Sequence, residues 1–182
     1  MKTNKIDEKI EIPEGITVSY QNGIYTVKGP KGEVQKKMLH PKIKVTTDAT
    51  NIMLNVVKAT KRELKVVNTY RAHIKNLFKG VTEGHIYKLK ICSGHFPMNV
   101  SIKGNHFEIK NFIGEKVPRT LKIKEGATVK IDGDAVVVEG IDKELTSQTA
   151  ASIEQLTRRP GFDSRVFQDG IFITDKDGKS IK

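Results

Sequence analysis

Val18-Ser-Tyr-Gln-Asn-Gly-Ile-Tyr-Thr-Val-Lys28 carries the architecture, because Val100-Ser-Ile-Lys-Gly-Asn-His-Phe-Glu-Ile-Lys110 repeats its plan 82 positions later. In the first copy Val18 and Tyr20 precede Gln21-Asn22-Gly23, and Ile24, Tyr25 and Val27 follow. Asn-Gly accepts positive φ, so the pattern predicts a β-hairpin. Under the same shift Tyr25 meets Phe107, Val27 meets Ile109, Lys28 meets Lys110, and Gly32-Glu33 meets Gly114-Glu115.

The first copy continues as strands and then a helix. Lys28-Gly-Pro-Lys-Gly32 turns the chain, and residues 42–45 and 52–56 alternate apolar and polar at period two. Thr60-Lys-Arg-Glu63 reads as a capping box at a helix start. Val67, Tyr70, Ile74, Leu77 and Val81 then form one apolar stripe, with Lys61, Lys65, Lys75 and Lys79 nearly opposite. Gly80 and Gly84 are expected to end the helix.

The second copy follows the same order. Lys42-Ile-Lys falls on Leu121-Lys-Ile-Lys124, and Leu54-Asn-Val-Val57 on Val136-Val-Val-Glu139. Lys61-Arg-Glu-Leu64 falls on Asp142-Lys-Glu-Leu145, where Asp142 suits an N-cap. The second helix, from Lys143 to about Arg158, is rich in small residues that permit close approach to a sheet, and Arg159-Pro160-Gly161 stops it. A hairpin-like tail is expected, with Val166-Phe167 and Ile171-Phe-Ile173 around Gln168-Asp-Gly170, and the polar last residues are expected to be mobile. The expected class is α+β: two duplicated domains, 1–83 and 84–182, each an antiparallel sheet packed against one helix.

Charge narrows the partners. Thirty-two Lys and Arg against 21 Asp and Glu leave a net charge of +11, which concentrates polyanions around the protein. Residues 1–83 carry 16 basic and 8 acidic groups, and residues 84–182 carry 16 and 13, so both halves are positive. One cysteine, Cys92, rules out an internal disulfide and suits a reducing compartment. The opening residues, Met1-Lys-Thr-Asn-Lys-Ile-Asp, lack the apolar core of a secretory signal. The longest aliphatic run, Ala135 to Val138, is far too short for a bilayer. A soluble intracellular protein is expected, with no membrane partner.

Catalytic chemistry finds little support. There is no GxxxxGK[ST], GxGxxG, HExxH or GxSxG motif. Gly29-Pro-Lys-Gly32 could offer N–H groups to a phosphate, but Pro30 removes a donor and a hairpin turn explains it as well. Cys92 and His95 have a spacing seen in zinc sites, yet four convergent ligands are needed and only His85 and His106 lie nearby. No enzyme activity, cofactor, metal or small-molecule substrate is expected.

Basic residues in turns and at helix ends are the remaining constellation: Lys28, Lys31, Lys36 and Lys37, then Lys110, Lys116 and Arg119, then Arg158, Arg159 and Arg165. Lys and Arg suit phosphate oxygens, and Arg adds bidentate geometry and stacking. No RNP-type aromatic motif accompanies them, so recognition is expected to follow RNA shape and phosphate geometry.

Several strings resemble one family. They are Tyr70-Arg-Ala-His-Ile-Lys-Asn-Leu-Phe-Lys-Gly-Val-Thr-Glu-Gly84, Tyr87-Lys-Leu-Lys90, His95-Phe-Pro-Met-Asn-Val100 and Glu108-Ile-Lys-Asn-Phe-Ile-Gly-Glu-Lys116. Gln148-Thr-Ala-Ala151 and Arg165-Val-Phe-Gln-Asp-Gly-Ile-Phe172 follow in order. Together they resemble the large-subunit ribosomal protein L-six family, in its archaeal and eukaryotic branch. The resemblance implies a structural constituent of the large ribosomal subunit, bound to large-subunit rRNA at the stalk base near the factor-binding region. Neighbouring ribosomal proteins there would be further partners. It also implies rRNA contact mainly from the second domain, favouring Lys110, Asn111, Lys116, Arg158, Arg159 and Arg165. Phe172 stands where many relatives have Tyr, which removes one hydroxyl and keeps the ring. Two other readings remain open on the residues alone: a nucleic-acid module outside the ribosome, and a small hydrolase or metalloenzyme.

Overall fold

The computed structural model describes residues 5–48, 50–57, 59–163 and 165–181. Residues 1–4 of the opening segment and Lys182 of the polar tail lie outside them. The chain divides into two compact units, Met1–Gly84 and His85–Lys182. No helix is long and apolar enough to cross a membrane among the described residues.

Unit 1 contains β1 (Lys5–Glu11), β2 (Thr17–Gln21), β3 (Ile24–Gly29), β4 (Gly32–Lys37), β5 (Ile43–Thr47), β6 (Asn51–Val57) and α1 (Lys61–Thr82). The strands form two antiparallel sheets, ordered β2-β3-β4 and β1-β6-β5. The Asn-Gly hairpin forms as its chemistry requires, with Asn22 at φ 51° and Gly23 at φ 81°. Tyr25 and Val27 from one sheet, Ile52, Leu54 and Val56 from the other, and Val67, Ile74 and Val81 from α1 are fully buried. Burying that face removes apolar surface from water, and this drives the helix onto the sheets.

Thr60 caps α1 as the sequence indicates. Its side chain and that of Glu63 complete a capping box, and Lys42 Nζ pairs with Glu63 at 2.9 Å. The Thr60 hydroxyl, followed by Lys42, holds the Glu63 carboxyl at about 2, far below its usual range. Gly80 does not end the helix. It is buried within α1, and Glu83 forms the C-cap, with Gly84 beyond it at φ 79°.

Unit 2 contains β7 (His85–Cys92), β8 (Asn99–Lys103), β9 (His106–Lys110), β10 (Arg119–Lys122), β11 (Ala127–Asp132), β12 (Ala135–Gly140), α2 (Lys143–Leu156), β13 (Gly170–Lys176) and β14 (Lys179–Ser180). The repeat extends to strand register. Thr17 pairs with Lys28 across β2 and β3, and Asn99 with Lys110 across β8 and β9, a shift of 82 at both ends. Phe107, Ile109, Phe112, Val136, Val138, Ala150, Ile153 and Ile171 belong to one buried cluster. Asp142 caps α2 by accepting from the Glu144 N–H at 2.8 Å. The small residues of α2 do bring it close: a Cβ added at Gly140 would collide with Thr146 Oγ1.

The structure is α+β with antiparallel sheet and one helix in each unit, as expected, but each unit divides its strands between two sheets. The second sheet of unit 2 has five strands, ordered β11-β12-β7-β13-β14. The tail differs from expectation. Val166 and Phe167 lie outside any strand, and the hairpin is β13 with β14, turning at Asp177 (φ 56°) and Gly178. The physical reason is β7: β13 bonds along its free edge, where Ile171 is buried and Ile173 half-buried. That pairing satisfies more backbone groups than a local hairpin with residues 166 and 167 could. Lys179 and Ser180 of the polar tail form the sheet edge.

Candidate nucleic-acid interface

Three loops of unit 2 converge: residues 93–98 after β7, 111–118 after β9, and 157–169 after α2. The middle loop is where the two copies diverge. In unit 1 the corresponding turn is tight, with Gly29 opposite Gly32, and a Cβ at Gly29 would lie 2.7 Å from Val81 Cγ2. In unit 2 the chain enters a left-handed conformation at Asn111 (φ 59°), makes a 3-10 turn over Phe112–Gly114, and returns at Arg119.

Side chains bind these loops to one another. Asn111 Nδ2 donates to the Pro97 carbonyl at 3.0 Å. Asp169, only 7% exposed, accepts from the backbone N–H groups of Gly94 (2.7 Å) and His95 (2.9 Å), and lies 2.5 Å from His95 Nδ1. Burial alone would raise the Asp169 carboxyl, but the bonds from His95 and Gly94 outweigh it and hold it below its usual value. The His95 ring packs 4.9 Å from Phe167, which meets Phe162 edge-on at 4.9 Å.

Arg119 is the clamp between the second and third loops. Its Nε and Nη2 make a bidentate pair with Glu115 at 2.7 and 2.6 Å, and Nη1 donates to the carbonyls of Leu156 (2.6 Å) and Arg158 (3.2 Å). The guanidinium also lies 4.3 Å over the Phe112 ring. It thus serves the carbonyl of Leu156, the last residue of α2, and that of Arg158 just beyond the helix, while the Thr157 and Arg158 N–H groups serve the carbonyls of Glu154 and Gln155. The same contact, led by its hydrogen bonds to Glu115, depresses the Glu115 carboxyl. Four of the five N–H donors of this guanidinium are occupied, which leaves little for an external phosphate.

The cations left available form a rim around the clamp. Lys116, Arg158 and Arg165 are exposed, and their side chains have no hydrogen bond or ion pair among the described residues. Arg159 stacks 4.2 Å over Phe162 and approaches Glu115 only to 3.9 Å. Lys110 is exposed, 4.0 Å from Glu108. Across residues 110–119 and 157–169, six Lys and Arg stand against three carboxylates. Between the cations lie exposed rings: Phe172 (44%), already noted in the sequence, and Phe96 (47%) and Phe162 (39%), to which the sequence analysis assigned no role. Stacking a base on such a ring contributes about 1–3 kcal/mol and tolerates any sequence. The alternation of basic and aromatic residues in 158–172 was a readable signal for them.

The basic residues of unit 1 are arranged differently. Lys28 pairs with Glu33 at 3.0 Å on the surface. Lys31 Nζ donates to the Glu83 carbonyl and its backbone N–H to Val81 O at 3.0 Å, so the β3–β4 turn is tied to the end of α1. The Gly29–Gly32 segment is a hairpin turn. His95 is engaged by Asp169, Cys92 is half-buried at the end of β7, and no group of three or more potential metal ligands occurs among the described residues.

A family model described as ribosomal protein L6 matches residues 12–84 and 96–170, one stretch in each unit. The chain is similar to the large ribosomal subunit protein uL6 of Methanococcus vannielii, 44% identical over 176 residues covering 97% of either chain. It is equally similar, 44% over 172 residues, to the uL6 protein of Methanosarcina mazei, covering 94% of this chain and 98% of the relative.

Proposed function

This chain belongs to the ribosomal protein L6 family, whose members are structural, non-enzymatic components of the large ribosomal subunit, and we propose that it binds large-subunit rRNA through the convergent loops of unit 2. In this reading the site lies at the stalk base, near the translation-factor-binding region, among neighbouring ribosomal proteins. The two compact units act as its two domains.

The observation that carries the proposal is the cross-braced rim: Lys110 at the end of β9, and Lys116, Arg158, Arg159 and Arg165 on the second and third loops, stand on a three-loop frame locked together by Arg119, Asn111 and Asp169. Cations held on a braced frame lose little freedom on meeting a folded polyanion, so more of each contact survives as affinity. Arg119 and Asn111 act as positioning residues in this scheme. Lys28 and Lys31 of unit 1 supply a secondary positive surface, with Lys31 turned mainly toward its own helix end.

A filter-binding salt titration on a large-subunit rRNA fragment tests it. Affinity should fall steeply with salt, as counterion release requires, and Lys116→Glu with Arg159→Glu should weaken binding while leaving the circular dichroism unchanged. Affinity that ignores both salt and the double substitution would count against these loops. Sucrose-gradient fractionation separates this reading from a nucleic-acid module outside the ribosome, because only a subunit component co-migrates with large subunits.

A further inference from the structure

The two units differ at one sheet edge. β7 bonds to β12 on one side and to β13 on the other, but among the described residues its counterpart β1 bonds to β6 alone. The groove that β13 fills in unit 2 therefore lies open in unit 1. It has a volume of about 460 Å³ and is lined by Lys9, Ile10, Glu11 and Pro13 beside β1 and by Arg71, Lys75 and Phe78 of α1. Ile10 and Phe78, each almost buried, make an apolar floor.

The backbone of β1 is set to accept a strand there. The Ile12 N–H bonds to Thr50 O in line with the β1–β6 register, so by antiparallel alternation Ile10, Glu8 and Ile6 also address β6. The N–H and C=O groups of Lys5, Asp7, Lys9 and Glu11 then point to the open edge.

We propose that this edge pairs with a second copy of itself, antiparallel, about a two-fold axis at Glu8, joining two three-stranded sheets into one of six. The sequence of β1, Lys5-Ile-Asp-Glu-Lys-Ile-Glu11, selects that register. It places Lys5 opposite Glu11, Asp7 opposite Lys9 and Ile6 opposite Ile10, each a favourable cross-strand pair. Moving the register by two residues in one direction opposes Asp7 with Asp7 and Lys5 with Lys9. The other direction opposes Lys9 with Lys9 and Asp7 with Glu11. A shift of one residue puts apolar side chains against charges and reverses the faces. In the favoured register only Glu8 meets its own copy. Each Glu8 is already paired with Arg71 at 3.1 Å, and Lys75 lines the same groove. The partner's Ile6 and Ile10 reach the apolar floor, where Ile171 of β13 lies in the equivalent place of unit 2. The proposal concerns unit 1 and does not depend on the RNA-facing loops.

The test is sedimentation equilibrium of the full chain at low salt, from about 10 µM to 1 mM, because an interface this small supports only weak association, with a dissociation constant on the order of 0.1 mM. Dimer should accumulate over that range. Asp7→Lys should abolish it, and Asp7→Lys combined with Lys9→Asp should restore it within about threefold, since the swapped charges again complement each other. Lys9→Pro removes an outward N–H without touching the β1–β6 ladder, so it should leave a folded monomer. Amide exchange should slow with concentration at Asp7, Lys9 and Glu11, and stay constant at Ile6, Glu8 and Ile10. A chain that remains monomeric at 1 mM would overturn the proposal. So would a dimer indifferent to the charge swap, or protection of Asp7 and Lys9 that appears only on adding rRNA or another protein.

Discussion

Replacing Arg119 with Met separates a residue that braces the convergent loops of unit 2 from one proposed to touch RNA. The guanidinium makes four hydrogen bonds, two to an ionised carboxylate and two to carbonyls at the end of α2. A bond to a charged group contributes about 1.5–3 kcal/mol net when buried, and partial exposure of both partners (21% and 28%) reduces the pair term through screening. Met retains most of the stem's packing on Phe112 and removes the polar bonds, leaving Glu115 with only the distant Arg159. The summed cost is about 2 kcal/mol. For a unit of this size that lowers the melting temperature by on the order of 10 °C.

The assay pairs thermal unfolding with a salt titration of rRNA binding, using Arg158→Met for comparison. Arg119→Met should destabilise unit 2 and weaken affinity, yet leave the slope of log affinity against log salt unchanged. Arg158→Met should leave stability unchanged and flatten that slope by about 1, the signature of one lost phosphate contact. An Arg119→Met protein with wild-type stability and a flattened slope would refute the assignment of Arg119 as a clamp.

Three other outcomes follow from single contacts. Glu63→Gln should blunt acid unfolding of unit 1: with its folded value near 2, the carboxylate contributes stability that is fully present above its unfolded value and lost as pH falls toward 2. A urea-stability profile over that window checks it, and identical curves for mutant and wild type would deny the capping box that role. Ile74→Ala, at a fully buried position of α1, should cost about 2–5 kcal/mol in chemical denaturation, whereas a loss below 1 kcal/mol would mean the cavity collapses. Phe162→Ala should reduce rRNA affinity by about fivefold or more with the salt slope intact, because it removes stacking area and the platform under Arg159 while deleting no charge.

What was legible in the sequence was local. The Asn22-Gly23 hairpin, the Thr60 and Asp142 caps and the α1 stripe each depend on residues within a few positions of one another. The duplication was legible because both copies keep the same register, down to Lys28 and Lys110 facing Thr17 and Asn99. Pairings made across long stretches of chain were not. Nothing near Ile171 says that it docks on β7, some 80 residues earlier, and Val166-Phe167 offered a nearer partner of similar composition. Arg119 read as one cation among several because its partners, Leu156 and Arg158, lie 37 and 39 residues away. Lys31 was misleading for a related reason: the helix end that takes its ammonium belongs to α1, 52 residues on. Charge counts find a basic surface, but only the fold shows which charges already have a partner.

Locating the chain in a reconstruction of intact large subunits confronts the RNA-binding assignment without intermediaries. The expected result is density for this chain with the 93–98, 111–118 and 157–169 loops against rRNA, and Lys116, Arg158 and Arg165 within hydrogen-bonding reach of phosphate oxygens. Subunits that lack the chain, or that hold it with those three loops turned to solvent, would contradict it.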